Sequence, residues 1–264
     1  MSAAPDAAAA PPHGSPPALP ATDARPAFPP VQPSALSLAT QLAHFGCRVD
    51  EHGSITPAIH LSTTFERAPD MSWPAGHVYS RWSNPSRDAL EAGMAALEGG
   101  AGALAYASGM AAMCGLLQAL PRGHVIMPSD LYHGVRYAIT GTFHAWGLTH
   151  SEVDMRDGAA LEAALAAAAA AGYGTPGSAK GPLLLHLETP SNPCLLVTDV
   201  EAAAAAGHRH GALVCVDATW MTPLLCRPLG LGADVVLHST TKYLGGACVA
   251  RAWRMRQPHA GARV

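Results

Sequence analysis

A chain of 264 residues with a formal net charge of −3 and a pI near 6.5 is long enough to bury a full core in one or two domains. That charge balance leaves no electrostatic footprint for nucleic acid or an anionic membrane surface, and no stretch approaches the roughly 20 apolar residues that span a bilayer. No basic segment followed by an apolar one opens the chain, so a secretory signal is not expected.

Residues 1–34 are largely Ala and Pro with few large apolar side chains, and are expected to form a disordered tail because they cannot bury enough surface to offset chain entropy. Ordered sequence is expected from near Ser37, residues 35–86 are expected to form a separate N-terminal segment, and Tyr79-Ser80-Arg81 precedes Asn84-Pro85 in a polar, irregular stretch. From residue 87 helical and strand patterns alternate. Asp88–Glu98 is rich in helix formers and stops at Gly99-Gly100. Ala103–Tyr106 is a short apolar segment, and Ser108-Gly109 opens a helix that runs to about Leu120. The strand His124–Met127, a helix over Tyr132–His144 and the strand Leu148–Val153 follow, and then an alanine-rich helix over Asp157–Ala171. Tyr173–Gly181 reads as a flexible loop that keeps Lys180 at the surface. Pro182–Glu188 is a strand, Asp199–His208 a helix, Ala212–Asp217 a strand and Asp234–Ser239 another. Near-continuous apolar strands separated by helices predict an α/β fold, a mainly parallel sheet covered on both faces.

Six cysteines are scattered without a CxxC pair and are expected to be free buried thiols in a reducing cytoplasm. His208 and His210 form the closest histidine pair; they show no partner cysteine or carboxylate in register, so no metal site is expected.

Lys242 carries the strongest chemical signal. It is one of only two lysines among sixteen basic residues, and it follows a β-branched apolar strand and the hydroxyl residues Ser239 and Thr241. A lysine kept where arginine dominates suits work that needs an amine able to lose its proton and form a Schiff base, which a guanidinium cannot do. The hydroxyls suit a phosphate. Asp217 closes a strand, where a carboxylate either keeps a ring nitrogen protonated or caps the next turn. Ser108-Gly109-Met110 opens a helix whose N–H groups and dipole suit a phosphate, although any strand-to-helix turn can use Ser-Gly. Asn192 lies between Pro190 and Pro193, either aimed at a cofactor oxygen or simply part of a Pro-bounded turn. Tyr132 offers a ring for a planar cofactor, or is a core aromatic. Arg81, next to Tyr79-Ser80, is a candidate phosphate fork or an exposed arginine.

In order and spacing these stretches resemble one family. TPAIHLSTTF, YSRWSNPSRDALE, ALEGG, ASGMAA, SDLYHG, LETPSNP, VDATWMTP and LGADVVLHSTTKYLGG, between Thr56 and Gly246, are similar to the Cys/Met-metabolism pyridoxal phosphate (PLP) enzymes, which include the cystathionine synthases and lyases and methionine γ-lyase. The resemblance implies the large domain of a fold-type I PLP enzyme over residues 87–246. It assigns Lys242 to the covalent link and to proton transfer, Asp217 to the pyridinium nitrogen, Asn192 to the ring hydroxyl and Thr219 to the cofactor's surface. Tyr132 would stack on the ring and assist proton transfer. Gly109, Met110, Ser239 and Thr241 would hold the phosphate, while Tyr79 and Arg81 would reach the phosphate of a neighbouring subunit. A homo-oligomer, a dimer of dimers, and a small-molecule amino acid substrate are implied, with C–S bond formation or cleavage at the β or γ carbon.

The chain departs from the family pattern at His133-Gly134-Val135, where Gly-Gly-Thr is usual, at Ala218, where Asn is common, and at 173–181, which reads as an insertion. After Gly246 the family pattern stops. Residues 247–264 hold four arginines and no acid, and are expected to be an out-of-frame tail of a chain lacking its small C-terminal domain, with a genuine basic tail as the alternative. Two other readings of function stand beside the enzyme: a chain that binds PLP without catalysis, and another PLP enzyme of the same fold such as an aminotransferase.

Overall fold

The computed structural model describes residues 36–44 and 54–245 and the backbone of Arg251–Met255. The tail expected over 1–34, and residues 247–264 apart from that strand backbone, lie outside the described residues. Seven strands form one sheet: β1 (Leu104–Tyr106), β2 (His124–Pro128), β3 (Thr149–Val153), β4 (Leu183–Glu188), β5 (Ala212–Asp217), β6 (Val235–Leu237) and β7 (Arg251–Met255). Their order is β1-β7-β6-β5-β4-β2-β3. The pairs from β3 through β6 are parallel, and β7 runs antiparallel to both β1 and β6. The helices are α1 (Leu38–Ala43), α2 (Pro85–Glu98), α3 (Gly109–Gln118), α4 (His133–Tyr137), α5 (Gly158–Ala170), α6 (Val200–Arg209) and α7 (Thr222–Leu225). The chain is α/β with a mainly parallel sheet.

Local chemistry fixes the helix starts. Side chains of Asn84, Ser108, Asp157 and Asp199 accept backbone N–H groups of the first turns of α2, α3, α5 and α6, which satisfies donors that have no intrahelical acceptor. Pro85 sits at the first turn of α2, and Gly99 closes that helix at φ 68, a left-handed conformation that glycine adopts without a Cβ penalty.

Alternate residues of the inner strands feed two cores. On one face Leu183, Leu185 and Leu187 of β4 pack with Val214, Val216 and Val236, under Leu161 and Leu165 of α5 and Ala203 and Ala204 of α6. On the other, Leu184, Cys215, Val235 and Leu237 pack with Met113, Leu116 and Leu117 of α3 and Val135 of α4. Each of these leucines contributes about 1.5–3 kcal/mol by leaving water.

Three expectations change. The helix over Tyr132–His144 is three consecutive pieces: α4, a π-helical stretch Ala138–Phe143 and a 3-10 turn His144–Trp146 closed by Gly147. Ile139, Thr140, Gly141 and Thr142 in this stretch are poor α-helix formers. Residues 247–264 gave no element by pattern, yet Arg251–Met255 fills the slot between β1 and β6, whose facing edges would otherwise leave rows of backbone donors and acceptors. The cysteines are not uniformly buried: Cys215 is, Cys114 and Cys226 are half-buried, and Cys194 is exposed.

His208 and His210 do have carboxylate partners. His208 Nε2 lies 2.9 Å from Asp234 Oδ2 and His210 Nε2 lies 2.7 Å from Glu162 Oε1. The two acids differ, so the pair does not converge, and among the described residues no group of three His, Cys, Asp or Glu could hold a metal ion.

Candidate active site

Strands β2, β4, β5 and β6 end on one side of the sheet, and the loops leaving them carry Tyr132, Asn192, Thr219 and Lys242. In open α/β sheets ligands gather beyond these carboxyl ends. A cavity of about 520 Å³ lies there, lined by Gly109, Met110, Tyr132, Asn192, Asp217, Thr219, Ser239 and Lys242 among others. Eight residues singled out from sequence therefore share one cavity. Thr241 is tied to it through its hydroxyl, 3.0 Å from Ser239 Oγ.

Tyr79 and Arg81 are not brought to the cavity. They sit in the segment before α2, with the Arg81 guanidinium 4.9 Å from the centre of the Tyr79 ring. Lys180 is exposed on its loop.

The loops are cross-linked by hydrogen bonds. Asp217 Oδ1 accepts the Thr219 N–H at 2.9 Å, so Asp217 both lines the cavity and caps its turn. The Ser239 N–H donates to Thr219 Oγ1 at 2.7 Å, and the Lys242 N–H donates to the Ser239 carbonyl at 3.0 Å. This chain of bonds fixes the Lys242 loop against the end of β5. At the other wall, the N–H groups of Gly109 and Met110 in the first turn of α3 have no acceptor within the helix and face the cavity with the helix dipole behind them.

Residues not anticipated from sequence also line it. Trp220 and Tyr243 stand at the cavity with ring centres 5.7 Å apart. Glu188, at the end of β4, accepts the Tyr132 N–H on Oε2 at 3.0 Å, while its Oε1 is buried without a partner. Burial, with the nearby Asp217 charge, pushes the Glu188 carboxyl up to about 7. Asp130 makes the reciprocal link: its Oδ2 accepts from Ser191 Oγ and, at 3.0 Å, from the Cys194 N–H. The Ser191 hydrogen bond holds the Asp130 carboxyl below the usual range. Glu188 was legible only as the last residue of an apolar strand, where an acid at a carboxyl end is a signal of its own. The peptide bonds Thr189–Pro190 and Asn192–Pro193 in the Asn192 loop are cis.

Two buried histidines lie near the site in the chain. His186, two residues before Glu188, is fully buried, and burial pushes it down to about 4. His238, just after β6, has its Nε2 2.5 Å from Oε1 of Glu98 at the end of α2, both groups being buried.

Residues 39–250 match the family described as Cys/Met metabolism PLP-dependent enzyme. The chain is 41% identical over 211 residues to the cystathionine gamma-synthase of Mycobacterium tuberculosis (strain H37Rv), covering 79% of this chain and 51% of that protein. It is 38% identical over 219 residues to the L-methionine gamma-lyase of Pseudomonas putida, covering 79% and 52%. Among solved structures, the cystathionine gamma synthase of Xanthomonas oryzae pv. oryzae in complex with aminoacrylate and cysteine superposes with a TM-score of 0.75 at 34% identity, covering 84% of this chain and 55% of that one. The chain spans about half the length of the curated relatives it matches.

Proposed function

The chain belongs to the Cys/Met metabolism PLP-dependent enzyme family, and we propose that its cavity binds PLP and carries out β- or γ-elimination or replacement at sulfur amino acids. The observation that carries this reading is the convergence of Lys242, Asp217, Asn192, Tyr132 and the start of α3 on one cavity.

The donor set fits the cofactor. Uncapped N–H groups of Gly109 and Met110, with the hydroxyls of Ser239 and Thr241, make an anion site for a phosphate. A carboxylate, an amide and a phenol lie in the same cavity for a ring with a nitrogen and a hydroxyl. A volume of about 520 Å³ is in the range of small-molecule sites. Close packing around Tyr132 fits a ring laid flat: a Cβ on Gly134 would meet Tyr132 Cε1 at 2.6 Å and Met110 Sδ at 3.1 Å.

When bound, PLP supplies an electrophilic carbon for an amine and an electron sink for charge developing at the substrate's α-carbon. The chain's residues do the rest. Lys242, anchored through its N–H to Ser239, holds the cofactor and then takes and returns the α-proton. Asp217 keeps a proton on the ring nitrogen by ion pairing, and Thr219 lies against the ring while fixing Ser239. Asn192 donates to the ring oxygen. Tyr132 covers one face and offers a phenol that passes a proton to a leaving thiol. Its backbone is held by Glu188, so the phenol is presented by a tied loop.

Oligomerisation is part of the proposal. Residues 54–83 hold no helix or strand beyond an isolated bridge between Thr64 and Tyr79, and carry Ile55, Ile59, Leu61 and Trp82 at more than 80% exposure, apolar surface of the kind that subunit interfaces cover. Tyr79 and Arg81 lie in this segment and reach the phosphate of a neighbouring subunit in a homotetramer built from dimers, working in the cytoplasm. No helix among the described residues is long and apolar enough to cross a membrane.

The test is thiol and keto acid release from cystathionine and from methionine, and cystathionine formation with release of the carboxylic acid from O-acylated homoserine plus cysteine, by the PLP-loaded chain. Release that disappears in Lys242→Ala supports the reading; amino exchange with a keto acid and no thiol release overturns it.

A further inference from the structure

Glu188 has no step in the reaction above, yet it is more deeply buried than any other acid at the cavity, with 4% of its surface exposed. Its two oxygens are used unequally. Oε2 takes the Tyr132 N–H, the Asn192 backbone lies close enough to oppose the rise in part, and Oε1 is buried without a full hydrogen bond, a costly arrangement for a full carboxylate and a much cheaper one for a carboxylic acid. The charged and titratable groups around it come from every neighbouring element. Asp217 is its direct register partner on β5. Asp130 and Tyr132 belong to the loop after β2, and Lys242 to the loop after β6. Beneath, His186 and Cys215 are the next register pair on the same face of these two strands; burial pushes His186 down to about 4 and raises the Cys215 thiol. Two acids thus end adjacent strands, and neither of the buried groups below supplies a countercharge.

We propose that Glu188 is a positioning residue that sets the charge of the cavity floor: as an acid it holds the Tyr132 loop and leaves Asp217 as the anion beneath the ring, and as a carboxylate it adds a second anion beside Asp217. The inference rests on the PLP reading for its consequence, not for its existence. Glu188 neutral matches a site whose Asp217 is to pair with a single ring proton. Glu188 ionised repels both Asp217 and an anionic cofactor, with a midpoint near 7 set by burial and by Asp217. The Tyr132 loop couples the two roles, because the same carboxyl group carries the proton and accepts the Tyr132 N–H.

The experiment has a cofactor-free arm and a loaded arm. Infrared titration of the PLP-free chain should show a protonated carboxyl band that disappears near pH 7 and is missing from Glu188→Gln. In Asp217→Asn the band should titrate at lower pH, because the repelling neighbour is gone. PLP dissociation constants are then compared as the ratio of wild type to Glu188→Gln, so that pH effects common to both chains cancel. That ratio is near one at pH 6 and rises about three- to tenfold at pH 8, when the second anion appears. Glu188→Ala, which loses the acceptor for the Tyr132 N–H, should weaken PLP binding at both pH values, unlike the Gln variant. A carboxyl band that persists in Glu188→Gln, or a ratio that is the same at both pH values, overturns the proposal. Should Glu188→Gln fail to fold, an unshifted band in Asp217→Asn does so as well. Absence of PLP binding in every variant, with the infrared result intact, overturns the cofactor reading instead.

Discussion

Glu188 and Asp217 end adjacent parallel strands in direct register, and below them on the same strands lies the buried His186. Glu188 holds its proton up to about 7 and His186 stays neutral down to about 4, so the two act on stability with opposite sign. The unfolded chain protonates His186 near its ordinary value while the fold does not, so its effect costs stability as pH falls from about 6.5 toward 4. The fold keeps a proton on Glu188 that the unfolded chain has released, so that contribution is complete below about 4.5 and is lost as pH rises toward 7.

Between pH 4.5 and 6.5 the two slopes oppose each other. Glu188→Gln should make stability rise more steeply with pH than in the wild type, and His186→Leu should make it rise less or fall, each by about 1 kcal/mol per pH unit. Denaturant midpoints across that window measure it, and identical slopes in all three chains would remove the account. His124, also pushed down by burial and by the neighbouring His150, acts in the same direction as His186 and is present in all three.

Gly134 is where backbone space decides the site. A Cβ there must displace the Tyr132 ring, 2.6 Å away, so Gly134→Ala should weaken PLP binding about tenfold or more while leaving the far-UV circular dichroism unchanged. Unaltered affinity would show that the Tyr132 ring does not contact the cofactor.

The buried contact between Glu98 and His238 pins the end of α2 to the residue after β6, four positions before Lys242. Replacing Glu98 by Leu strands a buried imidazole nitrogen and should cost about 1–3 kcal/mol. The double variant Glu98→Leu/His238→Leu should lose less than the sum of the two single changes, since neither polar group is then left alone. Additive losses in urea denaturation would show that the contact contributes little.

Helix α5 is mostly alanine, and its entry depends on Asp157, whose Oδ1 accepts the N–H groups of Ala159 and Ala160 at 3.0 Å each. Asp157→Ala should cost about 0.5–2 kcal/mol, and Asp157→Ser should recover most of it. Equal stability of the Ala and Ser variants would show that the cap is dispensable.

Much of this architecture was legible because the signals were local. Ser108, Asp157 and Asp199 announce helix starts, Gly99 announces a stop, and the leucine- and valine-rich strands announce burial on both faces; the start of α2 at Asn84-Pro85 was missed, its helical pattern being read only from Asp88. The site was legible through rarity and spacing: one lysine after a strand and two hydroxyls, and one acid closing the strand before. What escaped depended on contacts distant in sequence. Nothing next to Glu188 reveals that its oxygen takes the N–H of Tyr132, 56 residues earlier, or that Asp130 ties down Ser191 and Cys194. The partners of His208 and His210 lie on other elements, Asp234 before β6 and Glu162 in α5, so no reading of their own helix finds them. Strand β7 was missed because its place is set by the open edges of β1 and β6 rather than by its own pattern.

The central claim is that Lys242 is the residue that holds PLP. The chain has one other lysine, Lys180, which makes a direct measurement possible: load the chain with PLP, reduce it with borohydride, and locate the retained pyridoxyl mass by peptide mass spectrometry. The account predicts the label on the peptide containing Lys242 and a Lys242→Ala chain with no retained label and no visible absorption band. A label on Lys180, or the same band in Lys242→Ala, would contradict it.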